Sequence, residues 1–277
     1  MNFAEALQSG RKLLWLDAVD YAGALLAGGS VPWLDTAAYL AWSRKAQSLL
    51  RPDVLSLRLD RVCMAWLEAN PSLREAMAAK ARAVYPLKIL LADEALRSQL
   101  TDLVKGLRAG SSDQPLALEC PSPRLWVSTA YAQAHGADAA VEVGDDEADS
   151  AALLMADFLR VFADAGVDLL LLRESAQSEP DSAAALECYQ SVFNVATHYR
   201  WTVGLYAPEG RYIGGESALA FVLAPRAVPG STSGCVIDPA YWTTGVTDGL
   251  PVQGLLYASV PSGLQPEKVL ERLGALR

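Results

Sequence analysis

From about residue 85 onward, short apolar runs alternate with stretches of helical spacing, and this alternation constrains the chain more than any other feature. Residues 116–120, 167–172, 202–206, 219–223, 235–237 and 252–257 are apolar runs of strand length. Between and after them, residues 94–108, 150–165, 182–199 and 266–276 read as helices, and residues 87–91 fit a strand nearly as well as a Leu-rich helix. Runs without polar alternation belong to strands buried on both faces, as in a parallel sheet covered by helices. Six or seven such strands suit a (β/α)8 TIM-type barrel or an open doubly wound sheet. No Gly-x-Gly-x-x-Gly follows any strand, so the dinucleotide-binding open sheet lacks its usual signature. Polar residues gather just after the strands, at Glu119, Arg173 with Glu174, Glu209, Arg226, Asp238 and Ser259. In a barrel those positions face one mouth, and the expected fold is an α/β barrel of TIM type with room for distortion.

The first part of the chain reads differently. Residues 13–26 are apolar with few breakers and are expected as helix, ended by the turn chemistry of Gly28-Gly29-Ser30-Val31-Pro32. Asp35 is placed to cap a helix over residues 36–50. Residues 54–59 alternate with period two, as a half-buried strand does, and another helix is expected over residues 72–83. The organisation predicted from this is an N-terminal helical segment, residues 1–84, packed on a barrel body, residues 85–277.

Several phrases of the body resemble the uroporphyrinogen decarboxylase superfamily. Gln114-Pro115-Leu116-Ala117-Leu118-Glu119-Cys120-Pro121-Ser122-Pro123 is similar to its PLIGFxGxPxT strand. Ala165-Gly166-Val167-Asp168, continuing through Leu172 to Arg173-Glu174, resembles its AGADxxxxxDS unit. Thr202-Val203-Gly204-Leu205-Tyr206-Ala207 is similar to the strand before its fourth loop, and residues 253–269 to its closing strand and helix start. The resemblance covers roughly residues 85–277 and extends to corrinoid-linked methyltransferases and cobalamin-independent methionine synthase. It implies a distorted eight-stranded barrel. The family's functional residues do not carry over. Tyr206 stands where the methyltransferase branch has the His of its His-x-Cys pair, and no Cys follows. The closing loop Ser259-Val260-Pro261-Ser262 lacks the decarboxylase histidine, the arginine pair has no match, and Asp93 matches the family's aspartate only loosely.

Composition narrows the partners. With 32 acidic against 23 basic residues the net charge is −9, and no basic stripe marks a nucleic-acid binder. No apolar run of about 18 residues predicts a membrane span, and the first residues do not read as a secretory signal. Four scattered cysteines without a Cys-x-x-Cys fit reduced thiols rather than a disulfide framework or a zinc ribbon. The expectation is a cytoplasmic protein without cofactor or metal, acting on a small molecule, with no nucleic acid or membrane partner.

The candidate site follows from strand ends. Glu119 ends an otherwise apolar strand and serves either as a general base or as an ion-pair partner of Arg124 or Arg173. Arg173 can clamp a substrate carboxylate while Glu174 moves a proton, or the two can close an internal pair. Tyr206 and Glu209 flank Pro208, and residues 210–216 suit a mobile loop over the site. Asp238 fits a helix cap better than a ligand contact. Trp126 and Trp242 are candidate walls for an apolar substrate, and Ser259 completes the rim. Catalytic roles are thus expected of Glu119, Glu174 and Glu209, and substrate binding of Arg173, Tyr206, Trp126, Asp238, Trp242 and Ser259. The function these residues point to is a decarboxylase-like lyase acting on a small acidic metabolite. The alternatives are a methyltransferase-like barrel that has lost its zinc and a barrel that binds without turnover. The apolar excess of Leu13 to Leu16, Trp33, Leu40 and Trp42 predicts a homodimer face, or else a cap over the mouth.

Overall fold

The computed structural model describes residues 3–215 and 217–277. Eight parallel strands wind into a nearly closed barrel of TIM type, alternating with helices. They are β1 (Leu13–Asp17), β2 (Leu55–Arg58), β3 (Leu116–Pro121), β4 (Leu169–Arg173), β5 (Thr202–Tyr206), β6 (Phe221–Ala224), β7 (Ser233–Val236) and β8 (Leu255–Ser259). Pairing runs β1-β8-β7-β6-β5-β4-β3-β2, so β1 and β2 face each other without a ladder. Asp53, just before β2, spans this seam: its amide donates to the Leu14 carbonyl at 2.8 Å, and its Oδ2 accepts from the Leu14 amide at 2.8 Å.

Two of the eight strands precede residue 84, so the expected boundary between a helical segment and a barrel body does not hold. The reason lies in Leu13 to Leu16. All four are buried, because β1 packs against the lumen on one side and the helices on the other. A strand covered on both faces shows no alternation, and over so short a run it cannot be told from a buried helix. Residues 54–59 do alternate, and β2 is found there. Residues 87–91 fall in the helix Tyr85–Leu91, whose Pro86 sits in the first turn. Asp35 caps the helix Thr36–Leu50, its Oδ1 accepting from the Ala38 amide at 2.9 Å.

Side-chain parity sorts the lumen from the outer layer. Leu13, Trp15, Ala117, Leu169, Leu171 and Phe221 fill the lumen together with Leu223, Leu255 and Tyr257. Phe3, from the short helix Phe3–Gln8, closes the end at which the strands begin and meets Trp15 and Phe221 edge-on. Gly204 makes room for this filling: a Cβ there would overlap the Phe221 ring. Leu170, Leu172, Leu55 and Leu57 point outward and join the larger core beneath the helices.

The apolar residues of the N-terminal part are consumed in the same way. Trp33 stacks on Tyr39 with centroids 5.2 Å apart, and Trp42 is buried with its Nε1 donating to the Ala22 carbonyl. The apolar excess behind the dimer expectation is therefore largely covered within one chain, and no cap over the mouth is formed by these residues. Among the described residues, no helix is long and apolar enough to cross a membrane.

Candidate functional site at the barrel mouth

Inward parity carries six charged or phenolic side chains, Asp17, Arg58, Glu119, Arg173, Tyr206 and Tyr257, to or near the ends of β1, β2, β3, β4, β5 and β8. Register sets Asp17 beside Ser259, Arg58 beside Glu119 and Arg173 beside Tyr206, while Glu119 and Tyr257 lie one step deeper, level with Leu171 and Trp15. Arg173 is the hub. Its guanidinium holds the Glu119 carboxylate at 2.7 Å, lies 3.5 Å from Asp17, and donates to the Tyr257 hydroxyl. It also stacks over the Tyr206 ring, 4.5 Å from the centroid. Arg58 binds Asp60 in a two-pronged grip at 2.8–2.9 Å and reaches Asp17 at 2.9 Å. Asp17 thus collects both guanidiniums, and the Tyr257 hydroxyl approaches it at 3.3 Å. Glu119 is held from the other side by Trp15 Nε1 at 3.2 Å.

Burial alone would make both arginines shed their protons more easily, but the carboxylates around them reverse that. Asp60 and Asp17 hold Arg58 above its ordinary value, and Tyr257, Glu119 and Asp17 do the same for Arg173. Asp60 is held below the ordinary carboxylate range: burial opposes this, and the Arg58 hydrogen bond together with the charges of Arg58, Arg173 and Arg61 outweighs it. Tyr206 and Tyr257 are both pushed upward by burial, so both remain phenols near neutral pH. Three carboxylates meet two guanidiniums here, and each guanidinium is shared between carboxylates. Exposure grades sharply across the cluster. The Glu119 side chain is 1% exposed, Arg58 11% and Arg173 13%, whereas Asp17 is 16% and Asp60 22% exposed, so the more solvent-facing members are the carboxylates Asp17 and Asp60.

The expected site residues divide. Glu119, Arg173, Tyr206 and Ser259 come together at the mouth. Glu174 does not, because as the next residue after Arg173 it has the opposite parity. Buried behind the strand, it accepts from Ser122 Oγ at 2.6 Å and Tyr189 Oη at 2.8 Å. Burial pushes its carboxyl up to about 7, against the opposing pull of those hydroxyls and of Ser178. Glu209 is exposed on the loop after β5, its amide donating to Glu179 at 2.8 Å. Of the loop expected over residues 210–216, Glu216 lies outside the described residues.

Trp126 and Trp242 are not walls of the mouth. Trp126 packs edge-on against Phe158 in the outer core, and Trp242 is buried against β8 with its Nε1 donating to the Ser259 carbonyl at 2.8 Å. Both lie on helices just beyond strand ends, where helical packing turns the ring outward. Asp238 is exposed and accepts from the Ala240 amide at 2.7 Å, a turn ahead of the helix Tyr241–Thr244 rather than the helix cap expected of it, since the N-cap position falls at Ala240. Cys120 points away from the lumen and is fully buried, which pushes its thiol well above the ordinary value and removes the thiolate a nucleophile needs.

The residues missed by sequence reasoning are Asp17, Arg58, Asp60 and Tyr257. A signal existed for two of them. Asp17 ends an apolar run just as Glu119 does, and Arg58 ends an alternating one. Among the described residues, no group of three or more His, Cys, Asp or Glu is arranged to hold a metal ion. The chain matches no family model and no curated protein.

Proposed function

We propose that the barrel mouth is the active site of a decarboxylase-like lyase acting on a small organic acid, in keeping with the resemblance of residues 85–277 to uroporphyrinogen decarboxylases. One observation carries the reading: Asp17 is a partly exposed carboxylate seated between two guanidiniums and a phenol. An arriving substrate carboxylate is chemically equivalent to Asp17 and can take over the same donors. Guanidiniums bind carboxylates in this two-pronged way with charge-assisted bonds. The arginine pair that the sequence did not reveal is then Arg58 with Arg173, brought together from β2 and β4.

In this reading the clamped carboxylate anchors the substrate and a second one leaves. The bond from that carboxyl carbon to its neighbour breaks, carbon dioxide departs, and the electron pair passes into the substrate's own carbonyl or ring. A proton then goes to carbon from the Tyr206 hydroxyl, which makes no hydrogen bond among the described residues, and water reprotonates the phenolate. Glu119 touches no substrate here. It is a positioning residue that fixes Arg173 from below, with Trp15 fixing it in turn.

The test is a thermal-shift panel of small mono-, di- and tricarboxylates, with carbon dioxide release followed by NMR. A dicarboxylate should raise the midpoint of the native protein and lose that effect in Arg58→Gln, whereas Asp17→Asn should bind it more tightly. If no acid raises the midpoint, or the shift persists in Arg58→Gln, the reading fails. A second reading, a barrel that binds without turnover, is favoured by the density of the ion pairs already in place. An acid bound through Arg58 but never converted would select it.

A further inference from the structure

We infer that a second pocket, on the rim behind β4, binds a small zwitterion of the amino-acid type. The pocket does not depend on the mouth, because the end of β4 stands between them, with Arg173 facing one side and Glu174 the other. It is a cavity of about 540 Å³ between the helix Pro123–His135, residues 141–143 and the loop after β4.

Its charges are balanced. Arg124 and Arg211 line it, and so do Glu179 and Asp181. Glu179 is spoken for: it accepts the backbone amides of Glu209, Arg211 and Tyr212, and so ties the loop after β5 to the loop after β4. The Asp181 side chain is exposed and, among the described residues, accepts only the Ser182 hydroxyl, through Oδ1 at 2.9 Å. One acidic side chain is thus left to receive a cationic group.

The arginines are placed to receive an anionic one. Arg124 sits in the first turn of its helix, where the helix dipole also favours negative charge. Its guanidinium is fastened to the Val143 carbonyl and the Cys188 sulfur, and its one carboxylate partner is Asp145, whose side chain is 81% exposed. A partner so exposed is held weakly and is readily displaced. Arg211 also lines the cavity, and among the described residues its guanidinium spends one donor, on the Ala176 carbonyl. Val141, Val143, Pro180 and Ala185 give the lining an apolar wall, and Ser128, Ser175 and Ser178 add hydroxyls.

A simple anion gains little in such a pocket. Its attraction to two arginines is offset by the neighbouring acids and by the −9 charge of the chain. A ligand with one carboxylate and one ammonium satisfies both sets of charges and adds none of its own. The apolar wall then suits a modest aliphatic side chain, and L-valine is the simplest probe.

The experiment is calorimetric titration of the full chain with L-valine, L-valinamide, N-acetyl-L-valine and inorganic phosphate. The expected result is a Kd of about 1 mM or tighter for valine. The amide, the acetylated form and phosphate should each bind at least about tenfold more weakly, a factor worth one missing charge-assisted contact. Arg124→Gln and Asp181→Asn should each weaken valine by a similar factor, and Asp181, on the surface, can be changed without threat to the fold. Arg58→Gln, in the mouth, should leave valine binding unchanged, so that failure of the mouth reading and failure of this one are separable. The inference is overturned if valine shows no binding at ~10 mM. N-acetylvaline or phosphate binding as tightly as valine would also overturn it, as would valine binding that survives Asp181→Asn.

Discussion

The mouth and the rim pocket lie on opposite sides of the last residues of β4, and they use arginine in opposite ways. In the mouth each guanidinium is held by two acidic partners, Arg58 by Asp17 and Asp60 and Arg173 by Asp17 and Glu119, and the innermost of these, Glu119, is almost wholly out of water. On the rim, Arg124 leans on a surface carboxylate and Arg211 on a backbone carbonyl, with a cavity in front of them. Desolvated pairs cost several kcal/mol to break one-sidedly, whereas exposed pairs contribute little. The mouth is therefore preorganised but costly to open, and the rim is cheap to occupy. A single change of side-chain parity, from Arg173 to Glu174, separates the two regimes.

Substitutions can test that contrast. The largest effect is expected from Glu119→Ala, which strips Arg173 and Trp15 of a buried acceptor. A loss of about 3–5 kcal/mol in denaturant unfolding is expected. A loss below about 1 kcal/mol would place the pair in the solvent-screened class and erase the distinction.

Next comes Glu174→Gln. The Glu174 carboxyl is raised from its ordinary 4.5 to about 7 by burial, so the folded state holds the proton more tightly than the unfolded chain. Its stabilising contribution is complete below about 4.5 and disappears as pH rises through about 7, a swing of up to about 3 kcal/mol. Unfolding free energy measured at pH 5 and pH 8 should fall with pH in the native protein, and the Gln variant should lack that part of the slope. Parallel slopes would show the group to be more hydrated than its position implies.

Gly204→Ala tests the lumen below the mouth, where an added Cβ would overlap Phe221. Overpacking of this kind typically costs about 1–3 kcal/mol. A thermal midpoint equal to that of the native protein would mean the barrel interior yields more than its packing suggests. The smallest effect belongs to Asp145→Asn on the rim, for an exposed pair is worth about 1 kcal/mol or less. Stability should hardly change, and valine binding should be unchanged or tighter because Arg124 is freed.

How much of this was legible before the structure depended on burial. The alternating body beyond residue 85 was readable, since runs such as Leu169 to Leu172 are bounded by clear helices, and β5 lies where the pattern put it. Leu13 to Asp17 was not, because a strand covered on both faces leaves no period to detect. That misreading hid Asp17, whereas Arg58 was missed although its strand was read, because residues 1–84 were taken for a layer outside the barrel. The rule that found Glu119 and Arg173, a charge ending an apolar strand, applies to them equally. Parity was the other gap. Tyr206 was placed correctly, but Trp126, Trp242 and Glu174 follow strands whose last inward position the sequence does not mark. The pairing of Asp17 with Tyr257 across 240 positions had no local signature at all.

That distance has a consequence in time. Among the described residues the only sheet neighbour of β1 is β8, the latest of the eight strands to be made. Until it arrives, Leu13 to Leu16 form an apolar edge with unclaimed backbone donors and acceptors, the kind of edge that recruits other chains. Pairings this remote along the chain also form slowly. Until β8 has been made, the barrel therefore has one flank open. Its mouth is the last part to exist, since Asp17 cannot meet the Tyr257 hydroxyl before the barrel closes.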